Sequence, residues 1–156
     1  MKREGGRVLS VAVRNNRVGF VLLIDGEPMQ WGKSRLAFRG AKTAGRILSE
    51  WISKTCANAV IVEDPQTAQR KGRKSKAVMR RLAATAEKSR VEVMMVRRAF
   101  RHPNLYLEMC AFVERYPIME MVGASERRAW DSEDPNYVYF EALALAESAG
   151  ALFPEG

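Results

Sequence analysis

Ala59-Val60-Ile61-Val62-Glu63-Asp64 is the stretch that decides how the rest of this chain reads. Four apolar residues in a row, three of them β-branched, suit a strand covered on both faces, as parallel strands usually are. The run ends on a carboxylate, which is expensive to desolvate unless a cation or hydrogen-bond donors meet it. In sheets flanked by helices, ligand sites gather at such strand ends. Glu63 therefore reads either as a site residue or as a surface acid at a strand-to-loop junction. Just downstream, Arg70, Lys71, Arg73, Lys74, Lys76, Arg80 and Arg81 place seven cations between positions 70 and 81 with no acid among them. Carboxylates that hold Mg²⁺, beside cations that hold phosphates, are the two halves of a metal-dependent nuclease site.

Upstream of this stretch, Val8 to Val13 and Val18 to Ile24 are β-rich runs separated by the turn signal Asn15-Asn16. Asp25-Gly26 is a hairpin turn leading to a third strand, Met29 to Ser34. Gly40 to Cys56 has helical spacing, with Ala44, Ile47, Leu48, Trp51 and Ile52 on one stripe. Downstream, Ser75 to Lys88 reads as a helix capped by Ser75, and Val91 to Val96 as a fifth strand. Pro103 opens a further helix that ends near Pro117, and a last one runs from Pro135 to about Ala149. Three antiparallel strands, then helix, strand, helix, strand, helix, is an α/β order. It predicts a ribonuclease H-like fold: a five-stranded mixed sheet with helices on both faces and Val8–Val13 central beside Ala59–Val62. The absence of repeats and low-complexity linkers predicts one domain over 1–156.

Composition narrows the partner. A 156-residue chain that is 47% hydrophobic can bury a real core, and its net charge of +8 points to a polyanion, most often nucleic acid. No apolar stretch is long enough to span a membrane and no amphipathic anchor is evident, so a membrane partner is not expected. The N-terminal Met1-Lys2-Arg3-Glu4-Gly5-Gly6 has no apolar signal core. Cys56 and Cys110 form no CxxC pair and read as two buried free thiols. A cytoplasmic location is the expectation. With His102 as the only histidine, a His-based zinc site or a Ser-His triad is close to excluded, and no organic cofactor is expected.

With the elements in place, nearly the whole chain, Val8 to Ala149, resembles the RuvC-type Holliday junction resolvase family. Val8-Leu9-Ser10-Val11 with Arg17-Val18-Gly19-Phe20 is similar to that family's first hairpin. Ala59-Val60-Ile61-Val62-Glu63 is similar to its fourth strand, which ends on a catalytic glutamate, and the Lys/Ser-rich start of Lys71–Lys88 to the element after it. Glu141-Ala142-Leu143-Ala144-Leu145-Ala146 resembles its last helix. The resemblance implies Mg²⁺ or Mn²⁺ at paired carboxylates, a DNA substrate and a homodimer. The chain also departs from the pattern. The first strand of the family ends in aspartate, proline and glycine, where this sequence has Ala12, Val13 and Arg14; the two acids of the last helix align with Val138 and Glu141. Of four implied ligands, Glu63 and Glu141 remain.

Glu141 shares a helical face with Val138, Ala142, Leu145 and Ala149, so it expects a metal or a basic partner, unless it lies at the edge of the stripe and reaches solvent. Glu63 and Glu141 are the catalytic and metal-ligating candidates; Asp64, Asp131 and Asp134 are the acids that could join them. Asp134, just before Pro135, is better explained as a helix N-cap. Tyr137, Tyr139 and Phe140 are read as core. Phosphate contacts are assigned to the seven cations above and to a second cluster, Arg97, Arg98 and Arg101, beside His102. The sequence thus supports a divergent RuvC-like nucleic-acid-binding protein, with DNA as the expected ligand and weak or lost nuclease activity. The alternatives are an active Mg²⁺-dependent endonuclease and a protein-interaction module on the same fold.

Overall fold

The computed structural model describes residues 6–124, 126 and 132–152. β1 (Arg7–Arg14), β2 (Arg17–Ile24) and β3 (Glu27–Ser34) form the expected antiparallel meander. Its turns explain the residues that make them. Asn15 and Asn16 both take positive φ, as do Asp25 and Gly26, the backbone that a two-residue hairpin with the right-handed twist of its strands requires. After a 3₁₀ segment, Leu36–Arg39, come α1 (Ala41–Thr55), β4 (Ala59–Glu63), α2 (Arg73–Lys88), β5 (Glu92–Val96), α3 (Leu105–Arg115), a second 3₁₀ segment, Pro117–Val122, and α4 (Tyr137–Ser148). The sheet order is β3-β2-β1-β4-β5, with β4 parallel to β1 and β5 parallel to β4. β1 is central, and the ribonuclease H-like arrangement expected from the element order is the one found.

Several boundaries differ, for local reasons. α2 begins at Arg73 rather than Ser75; Gly72 precedes it and supplies no side-chain cap. α3 begins at Leu105 rather than Pro103, because the Asn104 side chain accepts from the Leu107 amide at 2.9 Å. α4 begins at Tyr137 rather than Pro135. Asp134 does not cap it: Asp134 Oδ1 accepts from the Asn136 amide at 2.8 Å and closes a turn before the helix. Cys56 is exposed, not buried, because it ends α1 in the left-handed conformation; Cys110 is half-buried and both thiols are free.

Alternation along the central strands builds two cores. Leu9, Val11, Val13, Phe20, Leu22, Val60 and Val62 face α1 and α2. Ala12, Val21, Leu23 and Ile61 face the other way, against α3, α4 and the second 3₁₀ segment. α4 is buried from Tyr137 to Ala146, which places Tyr137, Tyr139 and Phe140 in the core as expected. It is held down by Ser10, whose hydroxyl donates to the Ala142 carbonyl at 2.6 Å. Trp51 packs on Phe20 with ring centroids 4.7 Å apart, and Trp31 is half-buried against the second core.

The close seat of α4 depends on small residues opposite it. Ala12 pairs with Gly19 across β1 and β2, and a Cβ on Gly19 would lie 2.6 Å from Val138 Cγ1. Gly19→Ala should therefore overpack the interface and cost about 1–3 kcal/mol in urea unfolding. Adding Val138→Ala should recover part of that loss, since the two sites share one contact. Simple additivity of the two substitutions would contradict the packing described.

Candidate functional site

Glu63, Ile61, Ala12 and Arg14 point to the same face of the sheet, and α4 lies across that face. Residue alternation therefore aims the carboxylate ending β4 at the carboxylate carried by α4. Both are buried: Glu63 is 6% exposed and Glu141 2%. A buried carboxylate in a helix as apolar as Tyr-Val-Tyr-Phe-Glu-Ala-Leu-Ala-Leu-Ala needs strong compensation. Three cations supply it. Lys71 Nζ lies 2.8 Å from Glu141 Oε2, Arg98 Nε lies 2.8 Å from Glu141 Oε1, and Arg14 Nη1 lies 3.6 Å from the same Oε1.

The network extends outward from these contacts. Lys71 Nζ also lies 3.6 Å from Glu63 Oε1 and donates to the Val13 carbonyl at the end of β1. Arg98 is paired with Glu108 of α3 through Nη2, and its guanidinium carbon sits 4.1 Å from the centroid of the Phe100 ring. Arg14 makes a two-point pair with Glu133, Nε to Oε2 at 3.0 Å and Nη2 to Oε1 at 2.8 Å. Arg70 lies 4.4 Å over the same Phe100 ring. A cavity of about 760 Å³ opens above this cluster, walled by Arg14, Arg70, Lys71, Ser75, Arg98 and Phe100 among others.

The two acids experience this environment differently. Burial pushes Glu141 up, but Lys71, Arg98 and Arg14 together outweigh it and hold its pKa below the ordinary carboxylate value. Burial pushes Glu63 up as well, and there it prevails: Lys71 offsets it only in part and the charge of Glu141 adds to it. Glu63 Oε1 has no hydrogen-bond partner. Glu108 is likewise raised, by burial that Arg98 does not fully offset. Burial pushes Arg98 down, and its contacts with Glu141 and Glu108 more than reverse this, so it stays firmly charged.

The structure sorts the residues singled out in the sequence. It brings Glu63 and Glu141 to one ammonium group. Asp64 is elsewhere, its Oδ1 accepting from the Gln66 amide at 2.9 Å, and Asp134 closes the turn before α4. Asp131 lies outside the described residues. Among the cations, Lys71 and Arg98 depart from the expectation of a phosphate-facing surface: the Lys71 side chain is 12% exposed and that of Arg98 1%, both drawn inward by Glu141. Arg70, Arg73, Lys74, Arg80, Arg97 and Arg101 are exposed, and Lys76 and Arg81 half-buried. Arg101 and Glu147 approach to 3.8 Å. Arg14, Glu108, Glu133 and Phe100 went unassigned as site residues in the sequence. Two signals were present: Arg14 shares a strand face with Ala12, and Glu108 interrupts the apolar stripe of Leu105, Met109 and Phe112.

A pair of metal ions does not fit this cluster as folded. Ala12 and Val138, at two of the implied ligand positions, carry no oxygen on their side chains and are packed in the second core. Among the described residues, no group of three or more His, Cys, Asp or Glu side chains is placed to hold a metal. None of the helices there is long and apolar enough to cross a membrane.

No family model matches the chain, and no curated protein matches it in sequence. Solved structures do. Thermus thermophilus RuvC in complex with a Holliday junction substrate is 14% identical, with 92% of each chain covered and a TM-score of 0.55. Thermus thermophilus RuvC by itself is 14% identical, with 96% of this chain and 99% of that one covered and a TM-score of 0.50. The fowlpox virus resolvase bound to its substrate Holliday junction DNA is 14% identical, with 94% and 99% covered and a TM-score of 0.57. This likeness establishes a RuvC-like fold for the chain.

The opposed pKa shifts give the two acids opposite roles in stability. A carboxylate depressed in the folded state contributes stability above its unfolded pKa, near 4.5, that is lost as the pH falls through the folded value. A raised one costs stability above its folded pKa and is relieved by protonation. Glu141→Gln should therefore cost about 3–5 kcal/mol at neutral pH by stranding buried cations, and its deficit should shrink below pH 4.5 as the parent loses the same charge. Glu63→Gln should leave neutral-pH stability unchanged or raise it. Denaturant melts from pH 3 to 8 test both, and equal destabilisation by the two substitutions would refute the assignment.

Proposed function

We propose that this protein is a divergent, RuvC-like nucleic-acid-binding protein, with DNA as its ligand and nuclease activity weak or lost. The observation that carries this is the separation of its cations. Lys71 and Arg98 are spent on Glu141, whereas Arg70, Arg73, Lys74, Lys76, Arg80 and Arg81 have no carboxylate partner among the described residues. An ordinary solvated helix face mixes signs. This one keeps, on α2 and the loop before it, six positive side chains that no carboxylate among the described residues neutralises. The first turn of α2 carries no acid and no side-chain cap, so its amide groups add to the same positive field. Such a surface attracts phosphates and reads no bases, which predicts binding that is strong at low salt and weakly sequence-specific.

Solved neighbours of this fold were captured with Holliday junction DNA, which supports nucleic acid over an acidic protein as the polyanion. Weak or absent chemistry is supported by the acid cluster. Hydrolysis by two metals needs oxygens that bridge them, and the side chains of Ala12 and Val138 offer none. Glu63 and Glu141 remain the residues on which any residual activity would rest, as the metal-holding and catalytic pair.

Binding should be measured by fluorescence anisotropy on branched and duplex DNA at several salt concentrations. If the exposed cations neutralise about four phosphates, the slope of log K against log[salt] is about −4, at ~0.9 per phosphate. Replacing Arg73, Lys74 and Lys76 with alanine should flatten it by about 2–3 units and weaken binding to all sequences alike. Tight binding by the triple variant, or no saturable binding by the parent at low salt, would refute the proposal; a protein partner for the same fold would then become the leading alternative. Robust Mg²⁺-dependent cleavage abolished by Glu63→Gln would instead restore the endonuclease.

A further inference from the structure

The acid cluster carries an inference that does not depend on DNA binding. The ammonium of Lys71 donates to two oxygens, the Val13 carbonyl of β1 and Glu141 Oε2 of α4, and lies 3.6 Å from a third, Glu63 Oε1 of β4, as an ion pair. These three elements are the ones from which the resemblance to resolvases draws its metal ligands. Where the first strand lacks a carboxylate, at Ala12, the chain offers the next backbone carbonyl instead. We propose that Lys71 Nζ is the resident cation of this site, holding as a covalent part of the chain the place that a divalent metal would otherwise take, so that the folded protein needs no metal and admits none.

Charge and geometry support this reading. Among the described residues, the ion pairs of the cluster join four carboxylates (Glu63, Glu108, Glu133 and Glu141) to three cations (Arg14, Lys71 and Arg98). Without Lys71, four negative charges would face two positive ones, a deficit of two that matches one divalent ion. Arg98 and Arg14 cannot fill the gap, because each is already held by a second acid, Glu108 and Glu133 respectively. Lys71 is also placed to enter: it follows Arg70 and precedes Gly72, and its amide is fixed by a bond to the Ala68 carbonyl at 3.1 Å. The same contact makes Lys71 a positioning residue for the approach to α2. One anchored ammonium ties the loop that carries Arg70 to the ends of β1 and β4 and to α4.

The test uses the full chain, thermal melting and MgCl₂ or MnCl₂ as the probe, with EDTA as the reference. The parent should melt at the same temperature, within about 1 °C, in EDTA and in either metal. Lys71→Ala should melt lower in EDTA and gain about 3–5 °C in Mg²⁺ or Mn²⁺ at roughly tenfold excess over its dissociation constant. Adding Glu63→Gln or Glu141→Gln to Lys71→Ala should abolish that gain, which a merely structural lysine would not predict. If Lys71→Ala does not fold, Lys71→Met keeps the aliphatic stem and should show the same gain. A parent stabilised by either metal overturns the proposal by itself, as does a folded Lys71 variant with no metal response. Neither result bears on the salt-dependent DNA binding above, which is measured separately.

Discussion

One buried charge organises this molecule. Glu141 sits in a helix buried from Tyr137 to Ala146, where an unpaired carboxylate would cost several kcal/mol. Its two oxygens draw in Lys71 from the loop before α2, Arg98 from the end of β5 and Arg14 from the end of β1. Each cation brings a neighbour with it: Glu63, Glu108 with Phe100, and Glu133. Six separate parts of the chain are thereby tied to α4. A buried ion network is weak evidence of net stability, because desolvation offsets much of the Coulombic gain, yet removing one member leaves the others unpaired. Its role here is to fix which side chains point inward.

That division sets the outer surface. A net charge of +8 is a property of the whole sequence, and it does not say which cations are free. Within one stretch of twelve residues, Lys71 is withdrawn while Arg70, Arg73, Lys74 and Arg80 stay exposed. The acid cluster and the basic surface are therefore linked parts of one arrangement. The anchored lysine holds the start of the segment whose cations Arg70, Arg73, Lys74 and Arg80 face solvent.

The chain shares the RuvC-like fold at 14% identity over more than nine-tenths of its length, and its central strands supply the apolar residues on both faces that such a covered sheet needs. Many sequences satisfy that requirement. A metal site tolerates far less change, since it depends on particular oxygens at particular positions. Ala12 is a small residue in the second core, paired across the strands with Gly19, whose missing Cβ leaves room for Val138 of α4. A shared fold therefore does not by itself carry a shared chemistry.

The sequence by itself determined the architecture. The β-branched run at 59–62, the Asn15-Asn16 and Asp25-Gly26 turns and the helical stripes all depend on local periodicity, which neighbouring residues report directly. It also marked Glu63 and Glu141 as acids out of place, because a carboxylate inside an apolar pattern is visible in the pattern. Their partners were not visible. Lys71 lies 70 residues from Glu141 and Arg98 lies 43 away, and both stand among cations that look alike in sequence. Two helix starts lie two residues later than the prolines suggest, because Asn104 caps α3 and Asp134, expected as the cap of α4, closes a turn before it. Which lysine turns inward and which arginine stays in water follows from the position of one buried carboxylate in three dimensions. Electrostatic pairing acts through space, and only the tertiary structure decided it.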